Sequence, residues 1–178
     1  MKQIQIKYPP LEIVAPVVFA FVFAVTLIYS RFEPHVEDVN SDYVKSHSGV
    51  PGYVLVDVRP EENYEGKSPM LGVPGGHIPG AVNFPLDRLR RAGTRAAREL
   101  ARKGILRDNT VILYCNTGTA AGKFADTLLR DYHFSSQRIK NYRGSMVDWS
   151  RNRSNPLLPA DHELGYPDTA KPLQFGGK

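Results

Sequence analysis

The chain carries a single cysteine and a single tryptophan among its 178 residues. One cysteine excludes an intramolecular disulfide framework and any multi-cysteine metal site, and no metal or other cofactor is expected. A lone cysteine is by default a small buried hydrophobe, so its surroundings must argue for any chemistry. No internal repeat or low-complexity tract runs through the sequence. The basic residues are not interleaved with aromatics, as a groove for single-stranded nucleic acid requires, so nucleic acid is not an expected partner. The length allows one domain with a real core and not two comfortable ones.

Charge is missing from one stretch altogether. From Ile13 to Ser30 the residues are mostly Val, Ala, Phe, Ile and Leu, with no Lys, Arg, Asp or Glu. At a rise of ~1.5 Å per residue, this run and its flanks just span a ~30 Å hydrocarbon layer. A core helix of a globular domain has a polar face at helical spacing, and this run has none. A cleavable signal peptide has a shorter apolar region ending in small residues at alternate positions, whereas this one ends Leu27-Ile28-Tyr29-Ser30. The expectation is a tail over 1–10, an uncleaved transmembrane helix over 11–30 in contact with membrane lipid, and a tether over 31–40. Lys2 and Lys7 precede the span, and Arg31 after it is soon diluted by Glu33, Glu37 and Asp38. The positive-inside rule then places the N-terminus in the cytoplasm. A single-pass protein of the inner or cell membrane is expected, with its domain on the periplasmic, non-cytoplasmic side.

The body of the chain alternates strand and helix signals. Tyr53-Val54-Leu55-Val56-Asp57 is a short apolar run between Pro-Gly and Arg59-Pro60, the pattern of a buried parallel strand. Ala81 to Phe84, Thr110 to Tyr114 and Arg138 to Tyr142 have the same character. Helices are expected over Ser41–His47, with Ser41 as its cap, from Gly118 onward, and from Gly144 to Trp149. Strands alternating with helices imply right-handed crossovers and a mainly parallel α/β sheet covered on both faces. The domain is placed at 41–152, and the Pro-containing tail over 153–178 is expected to be irregular.

Cys115 stands where this pattern puts chemistry. The segment Tyr114-Cys115-Asn116-Thr117-Gly118-Thr119-Ala120-Ala121-Gly122 follows a buried strand and leads into a helix. In open parallel sheets, ligands bind beyond the carboxyl ends of strands. The small residues after the cysteine let backbone N–H groups converge into an anion-binding nest at a helix N-terminus. A thiolate or persulfide is stabilised by such donors. The bland alternative is a buried strand-end cysteine beside an ordinary loop, and spacing alone leaves both open.

Several blocks carry a family resemblance. Leu55-Val56-Asp57-Val58-Arg59, Tyr64-Glu65-Gly66, Gly76-His77-Ile78-Pro79-Gly80-Ala81-Val82-Asn83, the Cys-x-x-Gly loop and Tyr142-Arg143-Gly144-Ser145-Met146-Val147-Asp148-Trp149 occur in that order. Together they resemble the rhodanese pattern, in its thiosulfate and mercaptopyruvate sulfurtransferase branch. The resemblance implies a doubly wound rhodanese-like parallel sheet with helices on both faces, here preceded by the transmembrane helix. It implies that Cys115 is the catalytic nucleophile, taking sulfane sulfur as a persulfide from a small sulfur-containing donor and passing it to a thiophilic acceptor. Asn116, Thr117, Gly118, Thr119, Ala120, Asn63 and Arg143 are the expected substrate-binding positions. Asp57, Arg59 and His77 are expected to support the site structurally. Departures from the family pattern fall at Asn63 and Thr117, where thiosulfate-using relatives carry basic residues, and at Ala120. Lys67, Lys123 and Arg143 are the candidate substitutes for those charges.

The remaining basic excess lies in Arg88-Leu89-Arg90-Arg91-Ala92-Gly93-Thr94-Arg95, continuing through Arg98, Arg102, Lys103 and Arg107. Such a run is ordinarily a solvated helix face; its functional alternative is a surface for anionic lipid or an acidic partner. Two functions stay open: a membrane-anchored sulfurtransferase, and a non-catalytic rhodanese-like accessory subunit of a membrane protein complex. A phosphatase on the same fold needs an arginine six positions after the cysteine, and that position is Ala121.

Overall fold

The computed structural model describes residues 10–30, 35–67 and 72–158. The expected tail over 1–10, residues 31–34 of the tether and residues 159–178 of the C-terminal tail fall largely or wholly outside them. The chain divides into two compact units, 1–34 and 35–178.

The first unit contains one helix, α1 (Leu11–Ser30), which is 20 residues long. Phe19 and Phe21 are 73% and 69% exposed, as are other apolar side chains around it to a lesser degree. The expected transmembrane helix is nevertheless not shown: among the described residues no helix is long and apolar enough to cross a membrane. Glu12 lies in the first turn of α1.

The second unit is a parallel sheet of five strands, β1 (Glu37–Val39), β2 (Tyr53–Asp57), β3 (Ala81–Asn83), β4 (Thr110–Tyr114) and β5 (Ile139–Tyr142), in the order β1-β5-β4-β2-β3. β1 differs from expectation. Residues 37–39, assigned to the tether, add an edge strand to β5, tied by Lys140 Nζ to Glu37 at 2.6 Å and Asn141 Nδ2 to Asp38 at 2.8 Å. Neither contact has a local sequence signal, because the partners lie about a hundred residues apart.

Period-2 alternation distributes each strand between two cores. On one face α2 (Ser41–His47) and α7 (Ser145–Trp149) cover Leu55, Ile112, Tyr114 and Tyr142, with Val44, Met146 and Trp149 fully buried. On the other, α4 (Leu86–Ala92), α5 (Ala96–Arg102) and α6 (Thr119–Tyr132) bring Leu89, Leu100, Phe124 and Leu128 onto Val56, Val111 and Leu113. A one-turn helix, α3 (Glu61–Tyr64), follows β2 without a sequence signal that predicted it. The cap of α2 is Asn40 and not Ser41: the Asn40 side chain accepts the Tyr43 N–H at 3.0 Å.

The chain leaves β2 towards β3 on one side and β4 towards β5 on the other. The crevice between the C-terminal ends of β2 and β4 is therefore the topological switch point, where open α/β sheets bind ligands.

Candidate active site

Cys115 follows β4, and the alternation along that strand sends Val111, Leu113 and Cys115 to the α4–α6 face. It is 3% exposed. Its Sγ accepts the Gly118 N–H at 3.1 Å, the first amide of the helical turn that follows. Gly118 has φ 86°, and a Cβ there would collide with the carbonyl oxygen of Arg143. Only glycine supplies both the left-handed turn and the close approach. The Cys115 backbone is pinned from the other side, since its N–H donates to Ser145 Oγ at 3.1 Å and its carbonyl accepts the Met146 N–H at 3.1 Å. The Asn116 carbonyl likewise accepts the Val147 N–H at 3.1 Å. The loop is thus sewn to the start of α7, and Ser145 is a supporting residue that the sequence analysis missed. Its signal was its place in the Gly144-Ser145 step.

Asp57 and Arg59 form a fully buried pair. Arg59 Nη2 donates to Asp57 Oδ2 at 2.6 Å, and Arg59 Nε reaches both carboxylate oxygens at 3.0 and 3.1 Å. Burial alone would lower the Arg59 pKa, but the hydrogen bonds and charge of Asp57 outweigh it and the net shift is upward. The same guanidinium donates to the Gly76 carbonyl at 2.6 Å and touches Asn116 Oδ1 at 3.5 Å. It lies 5.9 Å from the Tyr114 ring centre, and the Tyr114 hydroxyl accepts the Ile78 N–H at 3.1 Å. Burial pushes the Tyr114 phenol well above its ordinary pKa, so it stays neutral and structural. This network joins the ends of β2 and β4 to the Gly75-Gly76 turn.

His77 takes part in no such contact with Cys115. Its Nδ1 donates to the Tyr64 carbonyl at 3.0 Å, its ring stacks on Tyr64 at 3.8 Å, and its backbone forms a two-way bridge with Leu158. Burial lowers its pKa, opposed in part by the Tyr64 carbonyl.

An open cleft of about 630 Å³ lies above Cys115. Asn116, Thr117, Thr119 and Ala120 line it, as expected, while Gly118 contributes its amide to the sulfur. Asn63 and Arg143 are not among the lining residues. The Asn63 carbonyl accepts the Gly66 and Gly76 amides, and the Arg143 side chain is 76% exposed and paired with Asp38 at 3.2 Å. Of the three candidate substitute cations only Lys123 lines the cleft, Lys67 being paired with Glu65 at 2.7 Å. Besides Arg59, which is paired with Asp57, the other cleft cations come from an unexpected source: Arg88, Arg90 and Arg91, the start of the basic run. Their signal was positional, since α4 begins just after β3 and so lies at the C-terminal edge of the sheet. The later members, Arg95, Arg98, Arg102, Lys103 and Arg107, are exposed. Among the described residues no cluster of His, Cys, Asp or Glu is arranged to hold a metal.

A doubly wound parallel sheet, with a cysteine at its switch point and a backbone amide on the sulfur, defines an α/β domain built around one cysteine loop. The family described as "Rhodanese-like domain" matches residues 40–152, and the chain belongs to that family. It is 31% identical over 122 residues to a thiosulfate sulfurtransferase of Azotobacter vinelandii, covering 65% of this chain and 44% of that one. It is also 31% identical over 112 residues to a 3-mercaptopyruvate sulfurtransferase of Escherichia coli (strain K12), covering 59% and 39%. The chain thus spans less than half the length of the curated relatives it matches. Among solved structures it resembles EanB in complex with ergothioneine covalently linked with a cysteine persulfide. There the TM-score is 0.62 at 21% identity, with 70% of this chain and 28% of that one covered. The last likeness concerns the fold.

Proposed function

We propose that this protein is a rhodanese-type sulfurtransferase that carries sulfane sulfur on Cys115. The observation that carries this reading is the Gly118 N–H on Cys115 Sγ, at the floor of a cleft at the sheet's switch point. In the first step the Cys115 thiolate attacks the outer sulfur of a donor (thiosulfate, a persulfide or a polysulfide). A Sγ–S bond forms, the donor's S–S bond breaks, and its electron pair departs with the leaving group (sulfite, when thiosulfate is the donor). In the second step a thiophilic acceptor such as cyanide or a thiol attacks the terminal sulfur, and Cys115 leaves as thiolate. The Gly118 amide stabilises negative charge on sulfur in both steps, and needs no reorganisation because Ser145 and α7 hold the loop. The likeness to a thiosulfate sulfurtransferase and a 3-mercaptopyruvate sulfurtransferase supports this chemistry.

Mass spectrometry of the protein after exposure to each donor tests this reading. A gain of one sulfur on Cys115, absent in Cys115→Ser and removed by cyanide, is expected. Equal sulfur transfer by wild type and Cys115→Ser overturns it.

We propose further that α1 attaches the protein to a membrane, with the domain on the non-cytoplasmic side. The support is the uncharged run from Ile13 to Ser30, the outward apolar side chains of α1, and Lys2 and Lys7 before it. The protein is expected to remain with membranes in alkaline carbonate, and protease added to intact spheroplasts is expected to digest the domain. Release by carbonate sinks the anchor, and protection until detergent is added reverses the orientation.

A further inference from the structure

The cations that line the cleft above Cys115 differ in what else they touch. Arg59 is committed to Asp57. Arg88 pairs with Glu99 at 2.9 Å and lies 5.5 Å from the Phe84 ring centre, and Arg90 is 3.9 Å from Asp87. Arg91 of α4 and Lys123 of α6 line the same cleft, and among the described residues neither makes an ion pair. Two exposed cations from different helices therefore share one cleft with their charges uncommitted.

The floor is of another kind. In the cysteine loop the lining side chains are the neutral Asn116, Thr117, Thr119 and Ala120, and the sulfur is met by a backbone amide. The exposed Arg91 and Lys123, not the cysteine loop, therefore form the rim that can receive a ligand's negative charge. A cleft of about 630 Å³ is also far larger than a small inorganic dianion, and falls in the ~300–1,000 Å³ range of sites for organic ligands. Glu61 and Glu62 of α3 also line the cleft, which therefore carries both signs of charge. A molecule with an ammonium group and a carboxylate separated from its sulfur can use both signs of charge, and a compact dianion can use only the cations.

We propose that the cleft takes an organic persulfide of the amino-acid or small-peptide class, its carboxylate received by Arg91 and Lys123 while its outer sulfur meets Cys115. This rests on the persulfide reading of Cys115 given above. The thiolate attacks the outer sulfur of R–S–SH, so a Sγ–S bond forms and the donor's S–S bond breaks. The electron pair leaves on R–S⁻ and the proton stays on the transferred sulfur. No oxidant or reductant is consumed.

The test uses the full chain with two donors of like reactivity, glutathione persulfide and 2-hydroxyethyl persulfide, which lacks a carboxylate. Loading of Cys115 is followed by mass spectrometry and stopped flow. The Arg91→Gln, Lys123→Gln double variant should lose about tenfold in kcat/KM for glutathione persulfide, chiefly through KM, as two rim charges each of modest strength predict. Its rate with 2-hydroxyethyl persulfide should match wild type, and added salt should reproduce the loss in the wild type alone. An equal loss with both donors, or no loss with glutathione persulfide, overturns the assignment of the rim. Loading from thiosulfate but from neither organic donor overturns the substrate class and leaves the sulfurtransferase reading standing. Failure of Cys115 to load from any donor overturns both.

Discussion

The backbone N–H of Cys115 donates to the hydroxyl of Ser145, which in turn donates to the Tyr142 carbonyl at 2.7 Å. Ser145 is fully buried and has φ 51°, a conformation that side chains other than glycine rarely adopt. Its hydroxyl therefore offsets backbone strain by satisfying two groups around the nucleophile. Ser145→Ala keeps the strain and strands the Cys115 amide, at a cost of ~1–3 kcal/mol. Ser145→Gly strands the same amide but relieves the strain. Urea unfolding should rank wild type above Gly and Gly above Ala, and an Ala variant as stable as the Gly variant would falsify this account.

The Asp57–Arg59 pair gives a larger effect. Both residues are buried, and removal of one partner leaves a charge without compensation, typically a loss of ~3–5 kcal/mol. Asp57→Ala should be destabilised by that order in chemical denaturation. The Asp57→Leu, Arg59→Met double variant should recover much of the loss, because it buries no orphan charge. A double variant no better than the single one would mean that the pair holds the Gly75-Gly76 turn chiefly through the Arg59 bond to Gly76.

Thiosulfate use should be weak in the wild type, since Thr117 lines the cleft floor where a basic residue is absent. A charge-assisted contact is worth ~1.5–3 kcal/mol, and ~1.4 kcal/mol is a factor of ten in rate. Thr117→Lys should therefore raise kcat/KM for thiosulfate about tenfold or more. Asn63→Arg should do little, because Asn63 does not line the cleft. Steady-state kinetics of the two variants, assayed side by side, check both halves. The reverse ranking would mean that residue 63 reaches the bound donor.

Acid should weaken the fold through His77. Its pKa is lowered from 6.5 by burial, so below that value the unfolded chain binds more protons than the folded one. Stability from this group is complete above about pH 6.5 and declines as pH falls from there towards the folded-state value. His77→Gln, which keeps a side-chain donor for the Tyr64 carbonyl, should flatten the stability profile over that window. An unchanged slope would assign the acid sensitivity to other groups.

The cysteine loop was legible as a unit because its parts are contiguous: a buried strand, Cys115, the left-handed Gly118 and a helix occupy one short stretch of chain. Arg143 was expected in the site as a candidate substitute for the missing basic residues, yet its backbone packs against Gly118 while its side chain pairs with Asp38. Asn63 was placed there by family pattern and contributes its carbonyl to a turn instead.

By itself the sequence determined the β-α alternation, the burial of β2 and β4 on both faces, and the position of Cys115 at a strand end. These follow from periodicity and turn chemistry acting over a few residues. Only the tertiary structure decided that residues 37–39 close the sheet edge, that Asp57 and Arg59 lock the ends of β2 and β4 together, and that Arg91 and Lys123 face one cleft. Each depends on strand order, which brings chain segments tens of residues apart to the same end of the sheet, and on the helix face that each core buries. A run of arginines has the same local pattern whether it faces water or an active cleft. The packing of Leu86 and Leu89 into the core turned that part of the run towards Cys115.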